Sequence, residues 1–135
     1  MPRNGPFGWI RTVENLRITV ASGTSAEEYL TDLVPGFQRI LVAAYFISDG
    51  SGAGASASRL IRIVKGASTV AASRTLVLAN TQTIGLASAF TLSTTASDYQ
   101  FYDADTLTID VTAAGTQFTT LTGTIKMVWK QKPQQ

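Results

Sequence analysis

Apolar and polar residues alternate along much of this chain with a period of two. Near the start, Leu16, Ile18 and Val20 alternate with Arg17 and Thr19. The same alternation returns in three later segments, Phe90–Thr94, Leu107–Val111 and Leu121–Trp129. Successive side chains of a strand point to opposite faces, so this period predicts strands with one buried and one polar face. The polar positions are mostly Thr, whose branched side chain favours strands.

Two further segments are predicted to be strands, although their patterns are less simple. Gln38–Ile47 is apolar on both faces, which favours a central strand or one that a partner covers. Arg59–Lys65 has no clean apolar face, because Arg62 shares its side with Leu60 and Val64. We therefore expect Arg62 to lie at a sheet edge or at an interface.

Three short segments carry weaker signals. Glu27–Leu33 fits either a helical turn or a strand, and its pattern does not decide between them. Thr69–Arg74 has enough Ala to allow a short helix. Ala113–Gly115 is predicted to be a turn between two strands. No longer helix is predicted anywhere in the chain.

The order of predicted elements indicates the fold class. Many short strands separated by Gly- and Ser-containing turns are typical of an antiparallel β-sandwich or a barrel. The chain has 135 residues, a length that fits one domain. We therefore expect an all-β protein with a single domain over residues 13–132 and a short tail at residues 133–135.

Residues 1–12 are predicted to form an extended N-terminal arm. Four of the first eight residues are Gly or Pro, which excludes a helix or a central strand there. The arm nevertheless carries Phe7, Trp9, Ile10 and Arg11, and its apolar side chains need a place to pack. Either the arm folds back on its own core or it docks on a neighbouring subunit.

Composition excludes most catalytic chemistry. The chain has no Cys and no His, so disulfides, a thiolate nucleophile, a Ser-His-Asp triad and Cys- or His-ligated zinc are all excluded. Charged residues make up only 15% of the chain, against roughly 25% in an average domain. We therefore expect a protein that is not an enzyme and that uses no cofactor.

The charge balance says little about partners. The formal net charge is +2, and the Lys and Arg residues are scattered along the sequence instead of being gathered in one run. A nucleic-acid-binding protein usually concentrates its cations on one face, so specific nucleic-acid binding is not expected. No apolar run approaches the ~18 residues of a membrane span, so no membrane partner is expected either.

Two residue clusters invite a functional interpretation. Asp98, Asp103, Asp105 and Asp110 form the densest acidic group, and carboxylates at alternate positions can share a calcium ion. The group lacks the Gly and the distal Glu of an EF-hand loop, so turns in which Asp bonds to nearby backbone are the favoured interpretation.

The second cluster is aromatic. It consists of Tyr99, Phe101 and Tyr102, of which the first two share a face if the segment is extended. Such a cluster can form a platform for stacking sugars or bases, but core packing is the more common fate of aromatic residues.

The second half of the chain also carries a family resemblance. The resemblance lies in four segments that follow in this order along the chain: Leu92–Thr95, Asp103–Thr112, Ala113–Gly115 and Leu121–Trp129. This pattern resembles the small jelly-roll proteins that decorate the capsids of tailed bacteriophages, often called cement or decoration proteins. The resemblance extends over roughly residues 25–130. The two predicted strands upstream, and the loop of small residues between them, follow in the same order as in those decoration proteins.

The resemblance implies a jelly-roll-like β-sandwich and a non-enzymatic virion protein. Such a protein would bind the outer capsid surface as a homotrimer, bridge neighbouring major capsid proteins and stabilise the shell. In that setting Phe7, Trp9, Ile10 and Arg11 are candidates for contacts with the capsid or another subunit, and Arg62 is a candidate interface residue. The alternative is a sugar- or receptor-binding module of a phage fibre or tail.

Overall fold

The computed structural model describes residues 9–20, 26–31, 37–49, 58–77, 85, 87–102, 104–114 and 121–133. Phe7 and the rest of the arm up to residue 8 lie outside these ranges, as do residue 103 and residues 134–135. The described part of the chain is almost entirely β-strand, which confirms the all-β prediction.

Ten strands and one 3-10 helix follow one another in the described ranges. They are β1 (Ile10–Val20), β2 (Ala26–Thr31), β3 (Phe37–Ser48), β4 (Ser58–Lys65), β5 (Thr69–Val77), β6 (Ala87–Ala89), β7 (Thr91–Leu92), the helix Ala96–Tyr99, β8 (Gln100–Phe101), β9 (Leu107–Ala114) and β10 (Leu121–Pro133). The ambiguous segment Glu27–Leu33 therefore contributes a strand, β2, which pairs with β9.

The strands form two antiparallel sheets with a jelly-roll order. Sheet A has the order β1-β10-β3-β6, with β8 also paired to β3, and sheet B has the order β2-β9-β4-β5-β7. Consecutive strands mostly alternate between the sheets, so each sheet is built from distant parts of the chain. Two sheets filled in this way by eight main strands are the double Greek key of a jelly roll. The predicted β-sandwich is confirmed.

The core lies between the inner faces of the two sheets. Ile18, Leu41 and Ile125 of sheet A are fully buried, as are Ile61 and Ile109 of sheet B. Along β10 the buried residues Ile125, Met127 and Trp129 alternate with residues on the outer face, as the period of two predicts. The alternation breaks in β3, where there is an extra residue opposite Val128 and Trp129 of β10, and again in β5, opposite Ile63 and Val64 of β4.

The short helix that the Ala content allows at Thr69–Arg74 does not form, because this segment is the first part of β5. The chain turns at Gly66, which has a φ of 65°, and Lys65 then pairs with Thr69. A left-handed residue at this place closes a tight hairpin, and β5 continues beside β4 for nine residues. Tertiary pairing thus overrides the weak helix preference of Ala.

The single strand predicted at Phe90–Thr94 is also wrong, because the chain changes sheets at Phe90. Ala87–Ala89 pairs with β3 in sheet A, whereas Thr91–Leu92 pairs with β5 in sheet B. At the crossing, the Phe90 amide donates to the Ala44 carbonyl at 2.8 Å, and the Phe90 side chain is buried. An alternating pattern gives the direction of the side chains but does not say which sheet each residue joins.

Several predicted boundaries differ from the observed strand ends. β1 begins at Ile10, so the last three residues assigned to the arm pair with β10. β10 extends through Pro133, the first residue of the predicted tail. The turn predicted to begin at Ala113 is misplaced, since Ala113 and Ala114 pair with β4 at the end of β9.

Candidate functional site

The outer face of sheet A combines positive charge with apolar side chains. Along β1, the exposed residues Arg11, Val13, Asn15 and Arg17 alternate with residues that point inward. The neighbouring strand β10 adds Lys126, Val128 and Lys130, and β3 adds half-buried residues at Ile40, Tyr45 and Ile47. We call this surface the basic face, because no outward position described on β1, β10, β3 or β6 is Asp or Glu.

The strand register arranges the basic face in rows. Arg11 lies directly opposite Lys130, so two cations are cross-strand neighbours. In the next row, Val13 is opposite Val128, which is opposite Ala43. Like charges directly opposite each other destabilise a sheet, so the folded domain carries an electrostatic cost in the first row.

Only one cation of the basic face has an acidic partner within the described ranges. Arg17 forms an ion pair with Asp49, at the end of the face where β3 finishes. Arg11, Lys126 and Lys130 form no ion pair with any other described residue. The middle of this surface, and the end at which β1 begins, are therefore positively charged.

The arm-proximal end of β1 also exposes apolar surface. Ile10 is 50% exposed and Val13 is 53% exposed, whereas Trp9 is half-buried. β1 is an edge strand of sheet A, with β10 on one side, so part of its backbone is not paired within the sheet. Long edge strands with exposed apolar residues are prone to pair with other chains.

Beneath the basic face lies a buried polar and aromatic cluster. The Arg39 guanidinium carbon is 4.3 Å from the ring centroid of Trp129, and Phe101 meets the same indole edge-on at 5.4 Å. Arg39 Nη2 is 3.7 Å from Glu14 Oε1. Burial lowers the pKa of Arg39, and the nearby Glu14 carboxylate partly offsets this by raising it.

Arg62 lies on the outer face of sheet B, within an ion pair. Its strand β4 is flanked by β9 and β5, so the predicted edge position is wrong. Arg62 is directly opposite Asp110 and its Nη2 donates to Asp110 Oδ2. A depression of about 250 Å³ above the pair is bordered by the hairpin residues Gly66, Ala67 and Ser68. The predicted interface role of Arg62 stays a prediction.

The Arg62–Asp110 pair is expected to stabilise the domain modestly. Cross-strand opposite charges contribute roughly 0.2–1 kcal/mol, and the partial exposure of both side chains limits the gain. In a double-mutant cycle with Arg62→Ala and Asp110→Ala, we expect a coupling free energy of about 0.5–1 kcal/mol. Urea denaturation followed by circular dichroism measures it. A coupling indistinguishable from zero would show that the two charges act independently.

Described members of the acidic group serve separate local roles. Tyr102 donates its backbone N–H to Asp105 Oδ2 at 2.9 Å, which confirms the turn interpretation for that residue. Asp98 Oδ2 accepts from Ser93 Oγ at 2.6 Å, and Asp110 pairs with Arg62. Asp103 lies outside the described residues. Among the residues that are described, no three acidic side chains are grouped as metal ligands.

The aromatic cluster does not form one platform. Phe101 is fully buried against Trp129, and Tyr99 ends the 3-10 helix and packs against the core. The segment is therefore not extended as the shared face of Tyr99 and Phe101 requires. Tyr102 alone of the three is well exposed, at 43%, and its hydroxyl accepts a hydrogen bond from Gln38 Nε2 at 3.2 Å.

Sequence reasoning missed the basic face because its cations are far apart in the chain. Arg11 and Lys130 are separated by almost the whole domain, yet they are neighbours in the sheet. Part of the signal was present in the alternation, since Lys130 continues the polar positions of the last predicted strand, whereas Arg11 was assigned to the arm. Recognising it requires the pairing of the first strand with the last. Arg39 and Arg59, both buried on inner faces, gave no signal at all.

Comparisons with known proteins do not assign this chain to a family. No family model matches it, and no curated protein matches it. Solved structures with some likeness include a chain of infectious bursal disease virus strain Gx, at 10% identity and a TM-score of 0.38 over 89% of this chain and 32% of that one. A chain of strain Gt matches at 8% identity and a TM-score of 0.32, over 95% and 38%.

A further likeness is to the dimeric latent PorU of Porphyromonas gingivalis, at 10% identity and a TM-score of 0.29, over 90% of this chain and 10% of that one. This chain thus spans less than two-fifths of each of these three structures. The neighbours therefore include chains of a virus particle, and the likeness to all of them is weak. In addition, none of the helices in the described ranges is long and apolar enough to cross a membrane.

Proposed function

We propose that this protein is a non-enzymatic virion component of a tailed bacteriophage that binds the outer surface of the capsid as a homotrimer. It bridges neighbouring major capsid proteins there and stabilises the shell. The observation that carries the proposal is the exposed apolar start of β1 at Ile10 and Val13, on an edge strand of a jelly roll. Exposed apolar residues on a sheet edge favour contact with another protein, and jelly rolls are common in virus shells.

Trimer formation suits this role on physical grounds. Three weak contacts on one particle act together, because the first contact raises the effective concentration for the other two. A protein that binds only the assembled shell also stabilises that shell by mass action. Size-exclusion chromatography with light scattering tests the trimer, which has three times the 14.4 kDa mass of the chain.

Deleting residues 1–9 is expected to weaken capsid binding while the domain still folds. The deletion ends before Ile10, because a longer one would remove residues of β1 that pair with β10. Binding is measured by co-sedimentation with purified empty capsids assembled from the major capsid protein of the same phage. We expect at least a tenfold loss of affinity, with an unchanged circular dichroism spectrum.

The matched control removes the last two residues, Gln134 and Gln135, from the other terminus. This variant should bind like the full chain. Full-strength binding by the chain that lacks residues 1–9 would exclude those nine residues from the contact. Failure of the full chain itself to bind capsids would contradict the proposed function.

The alternative function, a sugar- or receptor-binding module of a phage fibre or tail, is favoured by one observation. Tyr102 is an exposed aromatic side chain whose hydroxyl is held by Gln38, an arrangement that suits stacking against a sugar ring. Hits on a glycan array that disappear with Tyr102→Ala would support this alternative. An array without hits, together with capsid binding, would favour the virion role.

A further inference from the structure

We infer that the basic face is a docking surface for an acidic polypeptide surface that presents apolar side chains between its carboxylates. The inference rests on the proposed function only for the identity of the partner, which would then be the capsid shell. The chemistry of the surface itself follows from three features of sheet A: the row of like charges, the apolar row beside it, and the absence of outward acidic residues on its described strands.

The row formed by Arg11 and Lys130 supports an anionic partner. These residues are directly opposite each other on neighbouring strands, and neither has an ion-pair partner among the described residues. Like charges at this distance destabilise the sheet. A carboxylate placed between them would remove the repulsion and gain two charge-assisted contacts. The bound state therefore benefits from an arrangement that costs stability in the free protein.

The adjacent row supports a partner that is also apolar. Val13 is 53% exposed at the centre of the face, where it lies beside Val128, which is only 9% exposed, and the half-buried Ala43 follows in the same row. Lys126 and Tyr45 follow in the next row, so cations lie on both sides of the apolar strip. Apolar contact at the centre with charges around it is the usual anatomy of a protein interface.

Two other occupants fit this surface less well. In a symmetric dimer through this face, the cations of one chain would face the cations of the other, and the repulsion would oppose the dimer. A nucleic acid would satisfy the cations but would leave Val13 without an apolar contact, because the backbone of a nucleic acid presents phosphates. An acidic polypeptide with apolar side chains satisfies both rows.

The test compares three soluble probes by fluorescence anisotropy in the same buffer. They are a random copolymer of glutamate and tyrosine, polyglutamate of equal length, and double-stranded DNA of equal charge. The full chain should bind the copolymer at least tenfold more tightly than either of the other two. Equal or tighter binding of DNA, or no binding of the copolymer, would overturn the inference.

Charge reversal at Lys130 gives a signature that a merely structural role does not produce. Lys130→Glu replaces the repulsion with an ion pair to Arg11, so thermal stability should be equal or higher while affinity for the copolymer falls at least tenfold. Arg74→Glu is the matched control, because Arg74 is an exposed arginine on sheet B. Equal losses for both variants would show that only overall charge matters and would overturn the inference.

The apolar row is tested by Val13→Ser, with Thr75→Ser as the control for loss of an exposed side-chain methyl group on sheet B. Val13→Ser should weaken copolymer binding severalfold and leave polyglutamate binding unchanged, whereas the control should change neither.

Repeating the series with empty capsids separates the two proposals. Capsid binding that is unaffected by Lys130→Glu retains the proposed function and rejects the basic face. Copolymer binding without capsid binding retains the basic face and rejects the proposed function.

Discussion

Trp129→Ala is expected to lower the free energy of unfolding by about 3–5 kcal/mol. Trp129 is fully buried at the centre of β10, where Phe101 packs against its edge and Arg39 lies over its face. Removing the indole opens a large cavity and deprives the buried guanidinium of the ring that faces it. A domain of this size is stable by only about 5–15 kcal/mol, so a large part of its stability would be lost.

Urea denaturation monitored by circular dichroism measures this loss through the shift in midpoint. Trp129→Phe should lose less, because a smaller aromatic ring still meets Phe101 and still offers a face to Arg39. Tyr102→Ala is the matched control on an exposed aromatic and should change stability by less than about 0.5 kcal/mol. An unchanged midpoint for Trp129→Ala would show that the packing of this cluster within sheet A does not stabilise the domain.

Gly123→Ala is expected to destabilise the domain by about 1–3 kcal/mol. A Cβ at Gly123 would lie 2.5 Å from the Ile47 carbonyl oxygen and 2.6 Å from the Phe46 ring. The first contact is with backbone, so relief requires β10 and β3 to move apart at their paired residues Gly123 and Ser48. The loss of stability arises because β10 and β3 approach closely at this point and the Phe46 ring packs directly over Gly123.

A second substitution separates the two contacts. Phe46→Leu in the Gly123→Ala background should recover part of the lost stability, because the smaller side chain relieves the ring contact and leaves the carbonyl contact in place. The resulting coupling free energy is read from a double-mutant cycle by urea denaturation. Thr124→Ala, on the outer face of the same strand, is the control and should have a small effect. Wild-type stability for Gly123→Ala would contradict the close approach.

The two sheets present chemically different outer faces. Sheet B neutralises Arg62 internally through Asp110, whereas on sheet A three cations lack described acidic partners and lie around an apolar strip. The net charge of +2 conceals this difference, because it sums over both sheets and over the buried Arg39 and Arg59. Where charge lies on the fold therefore says more about partners than the total does.

For the candidate contact residues of the arm, the sequence predicted an extended backbone but not their position in the fold. Gly and Pro spacing placed Ile10 and Arg11 in an extended segment, and both residues are indeed in extended backbone. Their assignment to an arm differs from the structure, because β10 pairs with them from the far end of the chain. The role of Arg11 at an interface stays a prediction, and its neighbour Lys130 was not foreseen at all.

By itself, the sequence determined the all-β fold class of this protein and the position of most of its strands. The period of two in β1, β9 and β10 decides which side chains point inward, because that direction follows from local backbone geometry. The missing Cys and His likewise restrict the chemistry without any structure. Only the tertiary structure decided which strands are neighbours, where Phe90 changes sheets, and that Thr69–Arg74 is a strand. Those features depend on contacts between residues far apart in the chain, which local patterns do not encode. The basic face is such a feature, since it exists only when the first strand pairs with the last.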